Sequence, residues 1–193
     1  AAEPAPPQAE PTPPPAEPPP APAPASEPPP AESEARPLAA AEAAPAAAPA
    51  EVVVDERGSN FMGHAAIKWY DSPNGCGEGG SALWTYTTSD AGASENQGRW
   101  QPALPAEALY DVYVAIPGCG GRKPNTSSAH YVIQHRDGSA EVTVDQAAKA
   151  GGWVLLGRFP FRAGEGSAVE LRDVAGDSMR TIWFDAVKWV RAE

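Results

Sequence analysis

The chain has 193 residues and a formal net charge of −11. An acidic chain with no stripe of Lys and Arg cannot neutralise a phosphate backbone or approach anionic lipid, which excludes nucleic acid and charged membrane surfaces as main partners. No apolar run reaches the roughly 18 residues of a transmembrane helix, so no such helix is expected.

The first fifty residues hold most of the 24 prolines, no aromatic side chain and one large aliphatic, Leu38. Such a segment buries too little apolar area to offset its ordering entropy, and residues 1–50 are expected to be a disordered Pro/Ala/Glu-rich tether. Proline favours polyproline II, and fifty extended residues reach on the order of 150 Å. No basic residue flanks the P-x-x-P runs, so a spacer is favoured over an SH3 or WW ligand. The chain starts on Ala1 rather than Met. The expectation is a processed, extracytoplasmic bacterial protein, secreted or held at the cell surface, with a lipid anchor on the N-terminal side of the tether.

From residue 51 onward the texture changes to short β-prone runs separated by Gly, Asn, Asp and Ser. Strands are expected at Val52–Val54, Ala65–Tyr70, Ala82–Thr87, Tyr110–Ile116, His130–His135, Glu141–Val144, Val154–Phe161, Ala168–Arg172 and Ile182–Val190. Alternation is cleanest in Tyr110–Ile116, with Tyr110, Val112, Val114 and Ile116 facing the core and Asp111 and Tyr113 facing out. Asp137-Gly138 marks a hairpin turn, and Gly157 interrupts the alternation where a bulge is expected. No segment has a 3.6-residue apolar period. The fold class is therefore all-β, an antiparallel sandwich over residues 51–193.

Cys76 and Cys119 both lie in Gly-rich loops, Gly75-Cys76-Gly77 and Gly118-Cys119-Gly120-Gly121. In an exported chain two such cysteines suggest one disulfide, with two unpaired thiols as the alternative. Catalytic signatures are missing. There is no G-x-S-x-G elbow, no H-E-x-x-H, no phosphate-binding or dinucleotide loop, and the three histidines form no triad pattern. The chain reads as a non-enzyme. Asp145, Asp173, Asp177 and Asp185 read as turn-capping or amide-satisfying carboxylates rather than a glycosidase pair. Asp185, flanked by Phe184 and Ala186, needs a partner if buried, and Arg99 or Lys188 is expected to supply it. No cofactor is expected. Asp173 and Asp177, bracketing a Gly-containing turn, are weak candidates for calcium, because they offer few of the six to eight oxygens that ion takes.

Exposed Trp and Tyr rings, with amide, carboxylate or guanidinium groups nearby, can stack on sugars and hold their hydroxyls. Trp100, Trp153, Trp183 and Tyr113 are the expected platform residues and Arg99 the expected polar partner. Trp84 and Tyr86 share one strand face. Trp69 and Trp189 are expected to be structural.

Several segments in order carry a resemblance: Val52-Val53-Val54-Asp55, Gly79 to Tyr86, Gly98 to Pro105, Tyr110 to Pro117, Val144-Asp145-Gln146, Gly152 to Gly157 and Phe184 to Trp189. Together they resemble the golvesin C-terminal-like domain, also described as the carbohydrate-binding-like domain of xanthan lyase, from about Val52 to Val190. The resemblance implies a galactose-binding-like jelly roll acting as an accessory module, with polysaccharide or cell-wall glycan as its partner. It carries over no binding residues, and the two cysteines are additions to its pattern. The expected function is a surface-tethered glycan-binding module. The alternative is a structural or protein-interaction module of the cell surface.

Overall fold

A computed structural model describes residues 51–193 apart from Asn74. The tether expected over residues 1–50 lies outside the described residues. In chain order the strands are β1 (Glu51–Val54), β2 (Phe61–Ala65), β3 (Tyr70–Asp71), β4 (Leu83–Tyr86), β5 (Asn96–Trp100), β6 (Ala108–Ile116), β7 (Ala129–His135), β8 (Gly138–Val144), β9 (Gly152–Phe161), β10 (Ala168–Ala175), β11 (Thr181–Phe184) and β12 (Val187–Arg191). Among the described residues helix is limited to two single 3₁₀ turns, and no helix is long and apolar enough to cross a membrane.

The strands form three antiparallel sheets, in the orders β1-β12-β6-β9, β2-β5-β10-β7-β8 and β11-β4-β3. The two large sheets face each other. Tyr110, Val112, Val114 and Trp189 from the first meet Trp100, Tyr131, Ile133 and Leu171 from the second in one apolar core. As the alternation demands, Tyr110, Val112, Val114 and Ile116 are buried while Asp111 and Tyr113 turn outward. β1 and β12 run side by side, with Glu51 opposite Val190. The β7–β8 hairpin closes through Arg136-Asp137, with His135 opposite Gly138 and Gly138 at φ 135°. At Gly157 the β6–β9 register slips: Val112 pairs with Gly157 but Tyr113 with Leu155, so Leu156 is the extra residue of a bulge.

Three expectations need correction. The strand placed at Ala65–Tyr70 is two separate strands, β2 before it and β3 at its end. β5 was not expected, because Asn96-Gln97-Gly98-Arg99 reads as polar. Its inner face is made of Asn96, Gly98 and Trp100, and Gly98 is required there: a Cβ would lie 2.8 Å from Phe184 Cδ1. The strand placed at Ile182–Val190 breaks at Asp185-Ala186, where the chain leaves the small sheet for the first large one.

Candidate functional site

The small sheet brings aromatic residues into one row. Strand pairing places Trp183 of β11 opposite Trp84 of β4, and Trp84 opposite Tyr70 of β3. Side chains two apart on a strand share a face, so Tyr86 joins Trp84 on the same side. Tyr70 stacks on Trp84 with centroids 4.4 Å apart and planes at 21°, and Tyr86 meets Trp84 edge-on at 5.4 Å. Trp84, Tyr70 and Tyr86 are half-buried, and Trp84 Nε1 donates to the Asp71 carbonyl at 3.1 Å. They form one wall of a cleft of about 500 Å³. Gly120, Gly121, Arg122 and Asp71 also line it, whereas the Ser72 hydroxyl is engaged with the Cys76 carbonyl and Ala82 N, and Thr181 is buried. Lys68 Nζ lies 5.7 Å from the Tyr70 ring and Lys123 Nζ 5.6 Å from the Tyr86 ring, so the rim is basic in an acidic protein.

The Cys76–Cys119 disulfide, with Cα atoms 5.8 Å apart, ties this loop to the segment that leads into β4. It packs with Ala82, Trp84 and Trp183 in a small second core beneath the cleft. Of the two readings the sequence allowed, the disulfide is the one found.

The expected platform residues scatter. Trp100 is 1 % exposed, lies between Phe61 and Phe184, and donates from Nε1 to the Asp185 carbonyl at 2.7 Å. It is a core residue, and its expected exposure is corrected: its polar neighbours Gln97 and Arg99 point to the other face of β5. Trp183 is also 1 % exposed, closing the floor of the cleft while Nε1 donates to Asn125 Oδ1 at 2.9 Å. Trp153 and Tyr113 are half-buried on the outer face of the first large sheet, where Lys188 Nζ sits 4.4 Å from the Trp153 ring and 5.4 Å from the Tyr113 ring. Arg99 lies on the outer face of the other sheet, paired with Glu170 and donating to Gln134 Oε1 at 2.9 Å. Trp69 packs edge-on against Phe184 at 4.6 Å and Trp189 is fully buried, both structural as expected.

The carboxylates resolve in the same way. Asp173 is buried and accepts from Ser94 Oγ at 2.6 Å, Asn96 N at 3.0 Å and Glu95 N at 3.1 Å. Asp177 accepts from Thr126 Oγ1 at 2.7 Å, Thr87 Oγ1 at 3.2 Å and Ser127 N at 3.2 Å. Both staple loops to strands, the turn-satisfying role, and their oxygens already serve protein donors. Asp185 is 3 % exposed, and its expected cation is corrected. Arg99 is on another sheet face, and Lys188 reaches Glu51 at 3.7 Å instead. Both Asp185 oxygens accept from Glu78 N at 3.1 Å, and Asp55 and Glu56 are its acidic neighbours. Burial, with Glu56 adding to it against the Glu78 hydrogen bond, pushes the Asp185 carboxyl up to about 7.

Tyr70, Trp84 and Tyr86 are the residues the sequence reading did not assemble. The usable signal was Trp84 and Tyr86 at i and i+2. What hid the site was Tyr70, whose two-residue strand has no period to detect.

Comparison with known proteins gives a consistent picture. Residues 52–191 match the golvesin C-terminal domain. A xanthan lyase of Bacillus sp. (strain GL1) is 30 % identical over 102 residues, covering 52 % of this chain and 11 % of that protein. A solved xanthan lyase structure from Paenibacillus superposes with a TM-score of 0.61 at 21 % identity, over 75 % of this chain and 13 % of that one. The chain thus spans little more than a tenth of the relatives it matches, and the structural likeness is one of fold.

Proposed function

The chain belongs to the golvesin C-terminal domain family, and from that premise we propose that residues 51–193 form a non-catalytic carbohydrate-binding module whose ligand lies in the Tyr70–Trp84–Tyr86 cleft. The observation that carries this is the row of half-exposed rings walled by a polar glycine loop. Flat apolar faces accept the C–H faces of a sugar, while Asp71 and Arg122 at the same cleft offer polar partners to its hydroxyls. A disulfide fits an oxidising, extracytoplasmic compartment. Residues 1–50 would then be a spacer between the module and an anchored N-terminal side, and avidity among copies would offset a weak single site.

The test is binding of the full chain to a panel of soluble and insoluble polysaccharides. Trp84→Ala and Tyr86→Ala are each expected to weaken binding about tenfold or more, in protein that still unfolds in one cooperative transition above the assay temperature. Silence of the wild type across the panel sinks the reading. The basic rim makes a second expectation. Glycans bearing carboxylates should bind better than neutral ones of similar linkage, and the gap should close as salt rises. An advantage unaffected by salt, or retained in Lys68→Gln with Lys123→Gln, would remove the rim from the account.

A protein-interaction module is the second reading. The outer face of the β1-β12-β6-β9 sheet favours it, with Val53 45 % and Leu155 52 % exposed beside Tyr113 and Trp153. Sedimentation showing a stable oligomer or a co-sedimenting partner, lost in Leu155→Lys, would move the assignment there.

A further inference from the structure

We propose that Asp55, Glu56 and Asp185 form a binding site for a hard divalent cation of the size of calcium, at the junction of β1, β12 and the Gly77–Ser81 loop. The site is separate from the aromatic cleft and from the Asp173/Asp177 turn.

The three side chains come from two distant parts of the chain. Asp55 and Glu56 follow β1, and Asp185 sits where β11 gives way to β12. One oxygen from each lies within 4.8 Å of the others. That is the span of oxygens around a single ion with contacts of about 2.4 Å. Glu56 is 4 % exposed, with its side chain sealed completely from solvent. Its Oε1 accepts from Ser81 Oγ at 2.6 Å, but Oε2 is buried and receives no hydrogen bond. A buried carboxylate oxygen without a donor is costly unless something outside the protein meets it.

The neighbouring charges do not balance the group. Arg57 is the cation that reaches it, with Nε 3.4 Å from Glu56 Oε1, but its other end is bound to the exposed Asp71. Asp185 has the Glu78 N–H across both oxygens, and Asp55 Oδ1 accepts from Arg57 N at 2.9 Å. A Cβ added at Gly79 would lie 3.5 Å from Asp55 Oδ2. The loop above turns back on itself through glycine: at Gly77, φ 114°, a Cβ would lie 1.8 Å from the Ser81 carbonyl oxygen. Asp185 and Glu78 also line a second cleft of about 220 Å³, which gives an ion a way in and room for water ligands.

A proton is the competing occupant. Burial raises both Asp185 and Glu56, and each is raised further by a neighbouring carboxylate. A shared proton joins two oxygens, whereas a divalent ion contacts all three carboxylates together. Magnesium fits less well, since it keeps much of its water and seldom uses an all-carboxylate cage. Proton and ion therefore compete. Lowering the pH protonates the carboxylates and so disfavours the ion. The charged groups facing the site are Asp55, Glu56, Asp185, Arg57, Glu78 and, through Arg57, Asp71.

The experiment is thermal unfolding of the full chain, stripped with EDTA and dialysed, at pH 5 and pH 8. Calcium chloride, magnesium chloride and sodium chloride of matched ionic strength are added in turn, with equilibrium dialysis of radioactive calcium in parallel. The expected result is a calcium-specific rise in Tm of about 5 °C or more at pH 8 and much less at pH 5. Dialysis should find one ion per chain, with Kd at or below about 1 mM. Glu56→Gln with Asp185→Asn should abolish both responses and unfold at a higher temperature than the wild type in EDTA at pH 8. No retained calcium in the wild type at pH 8 overturns the proposal, whatever the variant does. So does a Tm rise that sodium reproduces, or one that the variant keeps.

Discussion

Replacing the Cys76–Cys119 bridge by Cys76→Ser with Cys119→Ser is expected to lower the unfolding free energy by about 4 kcal/mol. The cysteines are 43 residues apart, and closing a loop of that length in the unfolded chain accounts for a loss of this order. For a domain of this size that corresponds to a fall in Tm of roughly 10 °C or more. The sulfurs are packed against Ala82, Trp84 and Trp183, so the serines also leave polar groups in a small apolar cluster. Chemical unfolding followed by tryptophan fluorescence, with and without reductant, measures the effect. A reduced wild type as stable as the oxidised one would show that the bridge leaves the unfolded ensemble unconstrained. Function should suffer beyond stability, because Gly120, Gly121 and Arg122 hold their wall of the cleft one to three residues from Cys119. The serine variant, assayed well below its own Tm, should bind glycan more weakly than the wild type.

Trp100→Ala is expected to cost about 3–5 kcal/mol, the range for deleting a large buried aromatic. The ring fills the space between Phe61 and Phe184, and its N–H is the partner of the buried Asp185 carbonyl. Trp100→Phe separates the two contributions. It keeps most of the apolar volume and leaves the carbonyl without its donor, which should cost about 1–3 kcal/mol. Urea unfolding of both variants gives the ordering. Glycan affinity of the folded Trp100→Phe protein should equal that of the wild type. A variant that unfolds normally but no longer binds would return Trp100 to the list of ligand contacts.

The contrast between Trp100 and Trp84 shows how far the sequence could be read. Where strands are long and alternate strictly, as in Tyr110–Ile116, the period alone sorts core from surface, and every inner residue there is buried. Turn chemistry was equally legible at Asp137-Gly138 and Gly157, because those residue types exist to meet a backbone requirement. β5 was not legible. Its buried face consists of an Asn, a Gly and a Trp, and the Gly is there because Trp100 and Phe184 occupy the volume a side chain would need. Polar neighbours made Trp100 look like a surface ring, whereas alternation within an unrecognised strand put Gln97 and Arg99 on the opposite side. The aromatic cleft depends on pairing among β3, β4 and β11, segments of two to four residues that lie far apart in the chain. Cross-strand adjacency of that kind is a property of topology, which local pattern does not carry. The acidic group at Asp55, Glu56 and Asp185 was half visible. Asp185 stood out as a carboxylate in an apolar run, but its neighbours come from the other end of the domain.

The pairing of β1 with β12 has a mechanical meaning. Glu51 and Val190 are partners in the ladder, so the backbone enters and leaves the domain at adjacent points on one rim. A unit with adjacent entry and exit can be spliced into a host loop, or repeated along a chain, without rerouting the strands around it. The same adjacency sets how the domain yields to load. Tension applied between its two ends would open the β1–β12 ladder one rung at a time, from the Glu51–Val190 end inward. Tension between residue 51 and a ligand held in the cleft would instead be shared with the rest of the sandwich.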